Sequence, residues 1–480
     1  MKKKFLSVLI MCFLAVTIVF TGCGKDLGLK DNPGKNEISY SNGGMTVTKG
    51  DYLYFVNGYV DESSIDQAAI KDKTYAQGKV TRGAIYRTKL DNADVVKDKD
   101  GFLSNADLVV SRVVGFDNGG FYILGDTIYY ATPYLMYEKD GTALSDRVEF
   151  RSININGNTK TDKQIYVTDT HEDNLDWTMY SVDGKDYLVL YVNGTIYSID
   201  ASTGEEVAKI ENSTSYAFYH EEDYSTESSR TSNKYKYVYY TRSADKTENG
   251  NGAYSGNMLC VLDITNGDVS RLTNFSVTNS TIEIVKMIDN MVYYTKTSVS
   301  TGSKYLYMHC VDELWDNSQN KADVTNGVSY STYIPTGIGH KIIVTSDDGT
   351  WVVSHGADPV SVSSSSLDIL KIHGGYAYYV DSEVLYRFKI SNNPITQEVA
   401  VDEDTTNMVS AVSHIDFDGQ RLYVYTSYDD NYYLNYVEDT ENGLVQRFIG
   451  VFDEDEMPEE PEQDEEYGED PDIKYIPWID

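Results

Sequence analysis

Seven histidines (His171, His220, His309, His340, His355, His373 and His414) and 75 acidic residues are the groups from which a catalytic or metal site would be built. No two histidines stand at metal-pair spacing, and HExxH, which sets two imidazoles on one helical face, is absent. GxSxG, which would lift a serine nucleophile onto a sharp turn, is absent too, as is a phosphate-binding P-loop. The carboxylates are numerous enough to hide a glycosidase pair, but abundance without a spacing assigns no residue. Val95 to Asp107, VVKDKDGFLSNAD, comes nearest to a calcium loop. Counted from Val96, residues Asp98, Asp100, Gly101, Leu103 and Asp107 fall at loop positions three, five, six, eight and twelve. The first ligand position is a valine with no oxygen to give, and the last is Asp where Glu is usual, so the stretch reads as a polar insertion. No catalytic, cofactor or metal residue is therefore assigned.

One residue does carry a definite chemistry. The chain opens MKKK and continues FLSVLIMCFLAVTIVF, Phe5 to Phe20, which is apolar apart from Ser7 and Thr17. The run is short of the roughly 20 residues of a comfortable membrane span. A basic start, an apolar middle and small residues at the end describe an export signal. Phe20-Thr21-Gly22-Cys23 resembles a bacterial lipobox, with Phe20 in place of the usual Leu. The resemblance implies cleavage before Cys23 and a thioether-linked lipid on its sulfur, with a palmitate-type acyl anchor. Two or more chains hold a membrane far better than one, at about 0.8 kcal/mol per buried CH₂. The plainer alternative is a secreted protein with an unrelated cysteine. Cys12 lies inside the signal and leaves with it. The polar stretch after Cys23, rich in Gly and Asn, reads as a tether.

The formal charge is −35, and about −38 once Lys2, Lys3 and Lys4 are removed. Such a surface repels phosphate backbones and excludes nucleic acid as a partner, while it favours basic partners or cations. Cys260 and Cys310 remain in the body. They stand in different repeats, and the geometric demands of a bridge favour two free thiols over a disulfide.

These residues sit on a repeated β hairpin. A strand with an aromatic pair is followed, after a variable connection, by a second strand that often ends in Asp or Asn. The pairs are YLYFV (Tyr52) with IYRTKLD (Ile85), IYY (Ile128) with VEFRSININ (Val148), and YLVLY (Tyr187) with IYSID (Ile196). Next come VYY (Val238) with MLCVLD (Met258), VYY (Val292) with LYMHCVD (Leu306), and KIIV (Lys341) with WVVS (Trp351). The last two are AYY (Ala377) with LYRFKI (Leu385) and LYVY (Leu422) with YLNYVED (Tyr433). A preceding apolar run and a strand after the Asp turn make four strands per unit. The spacing from Tyr52 to Leu422 averages roughly 53 residues, within the range of propeller blades. The 42 tyrosines suit sheets whose faces are buried and whose rims are wet. One such sheet cannot bury both faces alone, whereas stacking around an axis buries them and leaves short edges. A β-sandwich array or a β-solenoid is the alternative.

Gly194 to Ile210, GTIYSIDASTGEEVAKI, resembles the repeat of quinoprotein-type propellers, and Asn257 to Asn274, NMLCVLDITNGDVSRLTN, is similar to TolB-like propeller repeats. The Tyr-rich units resemble the low-density-lipoprotein-receptor-like propellers of bacterial lipoproteins. Quinoprotein repeats place Trp where Ala208 stands, so the resemblance does not extend to a quinone cofactor.

The expected organisation is an all-β chain: a lipoprotein signal peptide over 1–22, a lipidated Cys23 and tether over 23–44, a single β-propeller of seven or eight four-stranded blades over 45–452, and an acidic tail over 453–480. The tail, with three prolines in its acidic run, cannot bury enough apolar area to fold. Its end, IKYIPWI with Trp478, reads either as a sticky terminus or as a docking peptide on an acidic stalk. The expected function is that of a protein lipid-anchored to the cell membrane, facing the extracellular side. It would bind a protein or glycan partner through propeller loops, without catalysis or cofactor. The alternative is an extracellular polysaccharide-acting hydrolase or lyase with carboxylates clustered at the propeller axis; an axis of Tyr, Ser and Asn would favour the binding protein.

Overall fold

The computed structural model describes residues 29, 44–56, 59–60, 84–89, 106–110, 112, 114, 120–132, 147–168, 175–218, 236–243, 257–271, 280–288, 291–310, 322–323, 325, 327–381, 384–399, 412–417, 422–428, 431–440 and 443–449. Cys23, the tether apart from residues 29 and 44, the Asp98–Asp100 stretch and the tail lie outside them.

Eight antiparallel sheets follow one another along the chain, seven of four strands and one of five. Blade 1 holds β1 (Thr46–Lys49), β2 (Tyr52–Val56), β4 (Ile85–Lys89) and β5 (Asp107–Val110), while β3 (Tyr59–Val60) leaves it for the last sheet. Blade 2 is β6 (Phe121–Leu124), β7 (Thr127–Ala131), β8 (Glu149–Asn154) and β9 (Lys163–Val167). Blade 3 is β10 (Leu175–Val182), β11 (Lys185–Val192), β12 (Thr195–Asp200) and β13 (Glu206–Ile210). Blade 4 is β14 (Ser213–Ala217), β15 (Tyr237–Ser243), β16 (Asn257–Asp263) and β17 (Val269–Arg271). Blade 5 is β18 (Ser280–Ile288), β19 (Met291–Ser298), β20 (Lys304–Cys310) and β21 (Ala322–Asp323). Blade 6 is β22 (Thr332–Pro335), β23 (Ile342–Ser346), β24 (Gly349–Val353) and β25 (Val360–Ser363). Blade 7 is β26 (Ile369–His373), β27 (Tyr376–Asp381), β28 (Val384–Lys389) and β29 (Gln397–Val399). The closing sheet is β30 (Val412–Phe417), β31 (Leu422–Tyr428), β32 (Asn431–Thr440) and β33 (Gly443–Ile449), joined by β3.

The eight hairpins of the sequence are the second and third strands of these eight sheets. Strand alternation explains why they are so apolar. In β7, Ile128 and Tyr130 pack into the core shared with blade 1, while Tyr129 and Ala131 pack into the core shared with blade 3. Both faces of a blade are covered, as the period-2 geometry of a strand requires. Every described seam is such a core. Tyr180 and Val189 of blade 3 meet Tyr239 of blade 4, and that same core runs on to Ile284 of blade 5. Leu306 meets Ile342, Ile343 meets Ala377, and Leu385 meets Ile415 in the seams that follow. The ring closes because Tyr423 of β31, fully buried, packs into the core of blade 1.

The closing sheet departs from the expected four strands. Its β32 is long, and one edge is shared: β3 pairs with Asn431 and Tyr432, and β33 pairs with residues 434–440. The excursion between β2 and β4 thus bonds the first unit to the last, a second closure beside the Tyr423 contact.

Candidate functional site

A four-stranded antiparallel blade has two ends. The turns from first to second and from third to fourth strand lie at one, and the other connections lie at the opposite one. At the first end a bonding pattern recurs. The residue following the third strand donates its backbone N–H to a carbonyl in or just past the first turn: Ile155 to Asp126 (2.9 Å), Ala201 to Asp186 (3.0 Å), Ile264 to Lys236 (2.9 Å) and Ile390 to Gly375 (3.0 Å). Its own carbonyl often accepts from the preceding blade: Ile264 from Ser198 Oγ at 2.7 Å, Ile390 from Lys341 Nζ at 3.0 Å, Ile155 from Tyr54 OH at 3.5 Å. Asp200 and Asp263 then shape the third turn. Asp200 Oδ1 accepts from Ser202 N at 2.8 Å and Thr203 N at 3.3 Å, and Asp263 Oδ1 accepts from Thr265 N at 3.0 Å. The hydrogen bond from the Ser202 hydroxyl, the largest influence, holds the Asp200 carboxyl below its usual range.

At the seam of blades 2 and 3 this end opens into a cavity of about 420 Å³. Tyr129, Ser152 and Lys163 of blade 2 line one side, and Lys185, Asp186 and Asp200 of blade 3 the other. Tyr129 OH donates to Asp186 Oδ2 at 2.7 Å. Burial first, and then the Asp186 charge, push the Tyr129 phenol far up, so it stays a donor at any ordinary pH. Lys163 Nζ reaches the Ser202 carbonyl at 3.4 Å.

A second polar cluster lies between blades 1 and 2. Arg151 Nε meets Asp162 Oδ1 at 3.0 Å and its Nη1 meets Glu149 Oε2 at 2.7 Å. Arg112 Nε meets Asp162 Oδ2 at 3.1 Å, Arg147 Nη2 meets Glu149 Oε1 at 3.0 Å, and Tyr130 OH donates to Asp162 at 3.0 Å. Arg151, Glu149 and Asp162 satisfy one another, which makes the cluster a seam fastener, while the Arg147 Nε at its rim makes no hydrogen bond.

Among the described inner strands the carboxylates are dispersed. Asp176 of β10 accepts from Tyr216 OH at 2.9 Å, and Glu283 of β18 faces Lys304 Nζ at 3.6 Å. Among the described residues no group of three or more His, Cys, Asp or Glu could hold a metal ion. Cys260 is buried in blade 4 and takes part in no disulfide, and Cys310 stands in β20 of blade 5. The cavity was not legible from spacing. Tyr129 and Asp186 are 57 positions apart, and no local pattern joins them. Superposing the repeats on their Asp turns is the signal that would have found it, since it sets Asp186 where blade 4 has Lys236.

Fold and seams define an all-β propeller, with blades that stack face to face and no described helix beyond a 3₁₀ turn at Thr159–Thr161. No protein-family model and no curated protein matches the chain. Among solved structures it is similar to the Dos1 propeller, at 10% identity over 80% of this chain and 89% of that one, with a TM-score of 0.40. It is also similar to the oligogalacturonate lyase of Vibrio parahaemolyticus, at 9% identity over 66% and 88%, TM-score 0.38. A further oligogalacturonate lyase, in complex with manganese, matches at 10% identity over 68% and 86%, TM-score 0.35. Likeness at this level carries nothing about chemistry or partners.

Proposed function

We propose that the protein is a non-catalytic binding or scaffold protein, anchored outside the cell by lipid on Cys23 and meeting a protein or glycan partner through its blade connections. One observation supports this most. Blade 3 passes from second to third strand through Asn193 and Gly194 alone, both at positive φ (44° and 78°), the geometry of a tight hairpin turn. Blade 1 uses residues 57–84 for the same step, blade 2 uses 132–148 and blade 4 uses 244–256. All three depart from and return to the same end of the ring. The blade 1 connection carries β3 and helps close the ring, but a two-residue turn suffices for the same step in blade 3, and the longer segments of blades 2 and 4 on a rigid scaffold are where recognition concentrates. The charge of −35 selects against nucleic acid and toward basic surfaces. The polysaccharide-acting hydrolase or lyase reading requires carboxylates gathered at the axis; Asp176 and Glu283 are instead each engaged by a neighbouring side chain.

The test is cross-linking and pull-down from intact cells with three versions: the full chain, one ending at Phe452, and one with 244–256 replaced by Asn-Gly. A partner recovered with the first two and lost with the third is the expected result. A partner lost only on removal of the tail moves recognition to the Trp478 end. A partner retained by all three overturns the assignment to this connection.

A further inference from the structure

The seam of blades 2 and 3 breaks a rule that other blades keep. The residue whose carbonyl receives the lock N–H stands one position before the residue that pairs with the end of the third strand. In blade 4 these are Lys236 and Asp263, an ion pair at 2.9 Å. In blade 2 they are Asp126 and Asn154, and in blade 7 Gly375 and Lys389, combinations without like charge. In blade 3 they are Asp186 and Asp200, two carboxylates at the mouth of the same cavity. Each spends one oxygen internally, Asp186 on Tyr129 and Asp200 on its own turn. Among the described residues neither is ion-paired, although Lys163 and Lys185 line the same space. Like charges at a repeat position that holds a compensated pair in blade 4, and no like charge in blades 2 and 7, oppose the fold. Such local conflicts concentrate where a site serves something other than stability.

The chemistry of the lining selects the occupant. A metal cation at the two aspartates would face two ammonium groups. An anion at the two lysines would face two carboxylates. An apolar molecule would strip water from all four with nothing in return. A ring bearing several hydroxyls meets every requirement, because each hydroxyl both donates and accepts. It can donate to the remaining oxygens of Asp186 and Asp200 and accept from Lys163 and Lys185, while Ser152 offers a further hydroxyl. The volume of about 420 Å³ falls within the range of small-molecule sites. We infer that this cavity is a carbohydrate-binding subsite for a neutral sugar unit, with Asp186 and Asp200 as hydroxyl acceptors and Lys163 and Lys185 as donors. It lies at the end of the ring opposite the 244–256 connection, so it goes beyond the loop-mediated recognition proposed above and does not depend on it.

The experiment titrates the full chain with neutral tetrasaccharides of glucose, mannose, galactose and N-acetylglucosamine, by saturation-transfer NMR and calorimetry. At least one is expected to bind. Asp186→Asn and Lys185→Ala should each weaken that binding about tenfold or more, since each removes a charge-assisted hydrogen bond. Lys185 is exposed, so its variant should melt with the parent and reports on the site alone. Replacing 244–256 should leave the affinity unchanged, which separates failure here from failure of the loop proposal. No binding by any tetrasaccharide overturns the inference, as does binding indifferent to both variants. Calcium or inorganic phosphate alone binding in a way that Asp186→Asn or Lys185→Ala abolishes would reassign the cavity to an ion.

Discussion

Asn257 grips both backbone groups of Ile282 in the next blade. Its Nδ2 donates to the Ile282 carbonyl and its Oδ1 accepts the Ile282 N–H, each at 2.6 Å. A side-chain amide thus acts as a strand edge toward β18, at a register break where β14 and β18 lie side by side. Around it, Thr214, Ser215 and Thr241 join hydroxyl to hydroxyl, and Ser215 Oγ accepts the Ile284 N–H at 3.0 Å. Asn257→Ala would orphan a buried donor and a buried acceptor, at about 1–3 kcal/mol each. The denaturation midpoint should fall accordingly. Asn257→Asp should do no better, because it forfeits the donor and buries a charge. A midpoint within error of the parent would show that the grip contributes nothing.

Glycines of the third turn press on the preceding blade, and their substitution separates conformational strain from collision. A Cβ on Gly204 would lie 2.6 Å from the Ile165 carbonyl oxygen, at a φ of +76°. Gly184 has nearly the same φ, +77°, with nothing within 4 Å. Gly184→Ala should cost about 1 kcal/mol, the strain of the left-handed conformation alone. Gly204→Ala should cost that plus about 1–3 kcal/mol for forcing the blades apart. Chemical denaturation of the two variants checks it, and equal costs would mean that the seam yields freely.

The fold was legible because its unit is local. Tyr52-Leu53-Tyr54 and Ile85-Tyr86-Arg87 carry strand alternation, and their partner is the next hairpin along the chain, so periodicity alone implies a ring. The same logic reveals a closer repeat. Arg87 lies 4.5 Å over the Tyr52 ring in blade 1, and Arg387 lies 4.5 Å over the Tyr376 ring in blade 7, each with an acidic residue opposite on the fourth strand. Features made by distant segments stayed hidden. Tyr59 and Val60 look like the continuation of β2, yet they bond β32 more than 370 positions away, and no spacing announces that. The Asp186 cavity stayed hidden for a related reason. It is defined by a departure between blades, which only the superposed repeats expose.

The Arg151 cluster should be far more sensitive at its centre than at its rim. Arg151 is 11% exposed between Glu149 at 8% and Asp162 at 15%, whereas Arg147 is 42% exposed. Arg151→Met leaves two carboxylates in a closed seam without their shared cation, a loss of about 3–5 kcal/mol. Arg147→Ala removes a solvated partner and should fall within about 1 kcal/mol of the parent. Urea midpoints distinguish the two, and equal losses would mean that the seam admits water.

The buried tyrosines set the alkaline limit of the fold. Burial, the largest cause, pushes the phenol of Tyr54 up to about 12, against the opposing pull of Arg87, and burial likewise pushes Tyr379 up to about 12. In the unfolded chain both titrate near 10. A folded pKa above the unfolded one gives stability that is whole below pH 10 and is lost as pH climbs from about 10 toward about 12. Alkaline unfolding should therefore begin near pH 10, with many seams weakening together, since Tyr122, Tyr130 and Tyr294 are raised further by the same burial. Absorbance at 295 nm should report an early phase from exposed phenols and a late one coincident with loss of the far-ultraviolet β signal. Tyr54→Phe should move that late phase to higher pH at some cost in stability at neutrality, because it deletes the ionisable group together with the Arg87 hydrogen bond at 3.3 Å. A single smooth titration completed while the β signal persists would show that the seams are open to hydroxide.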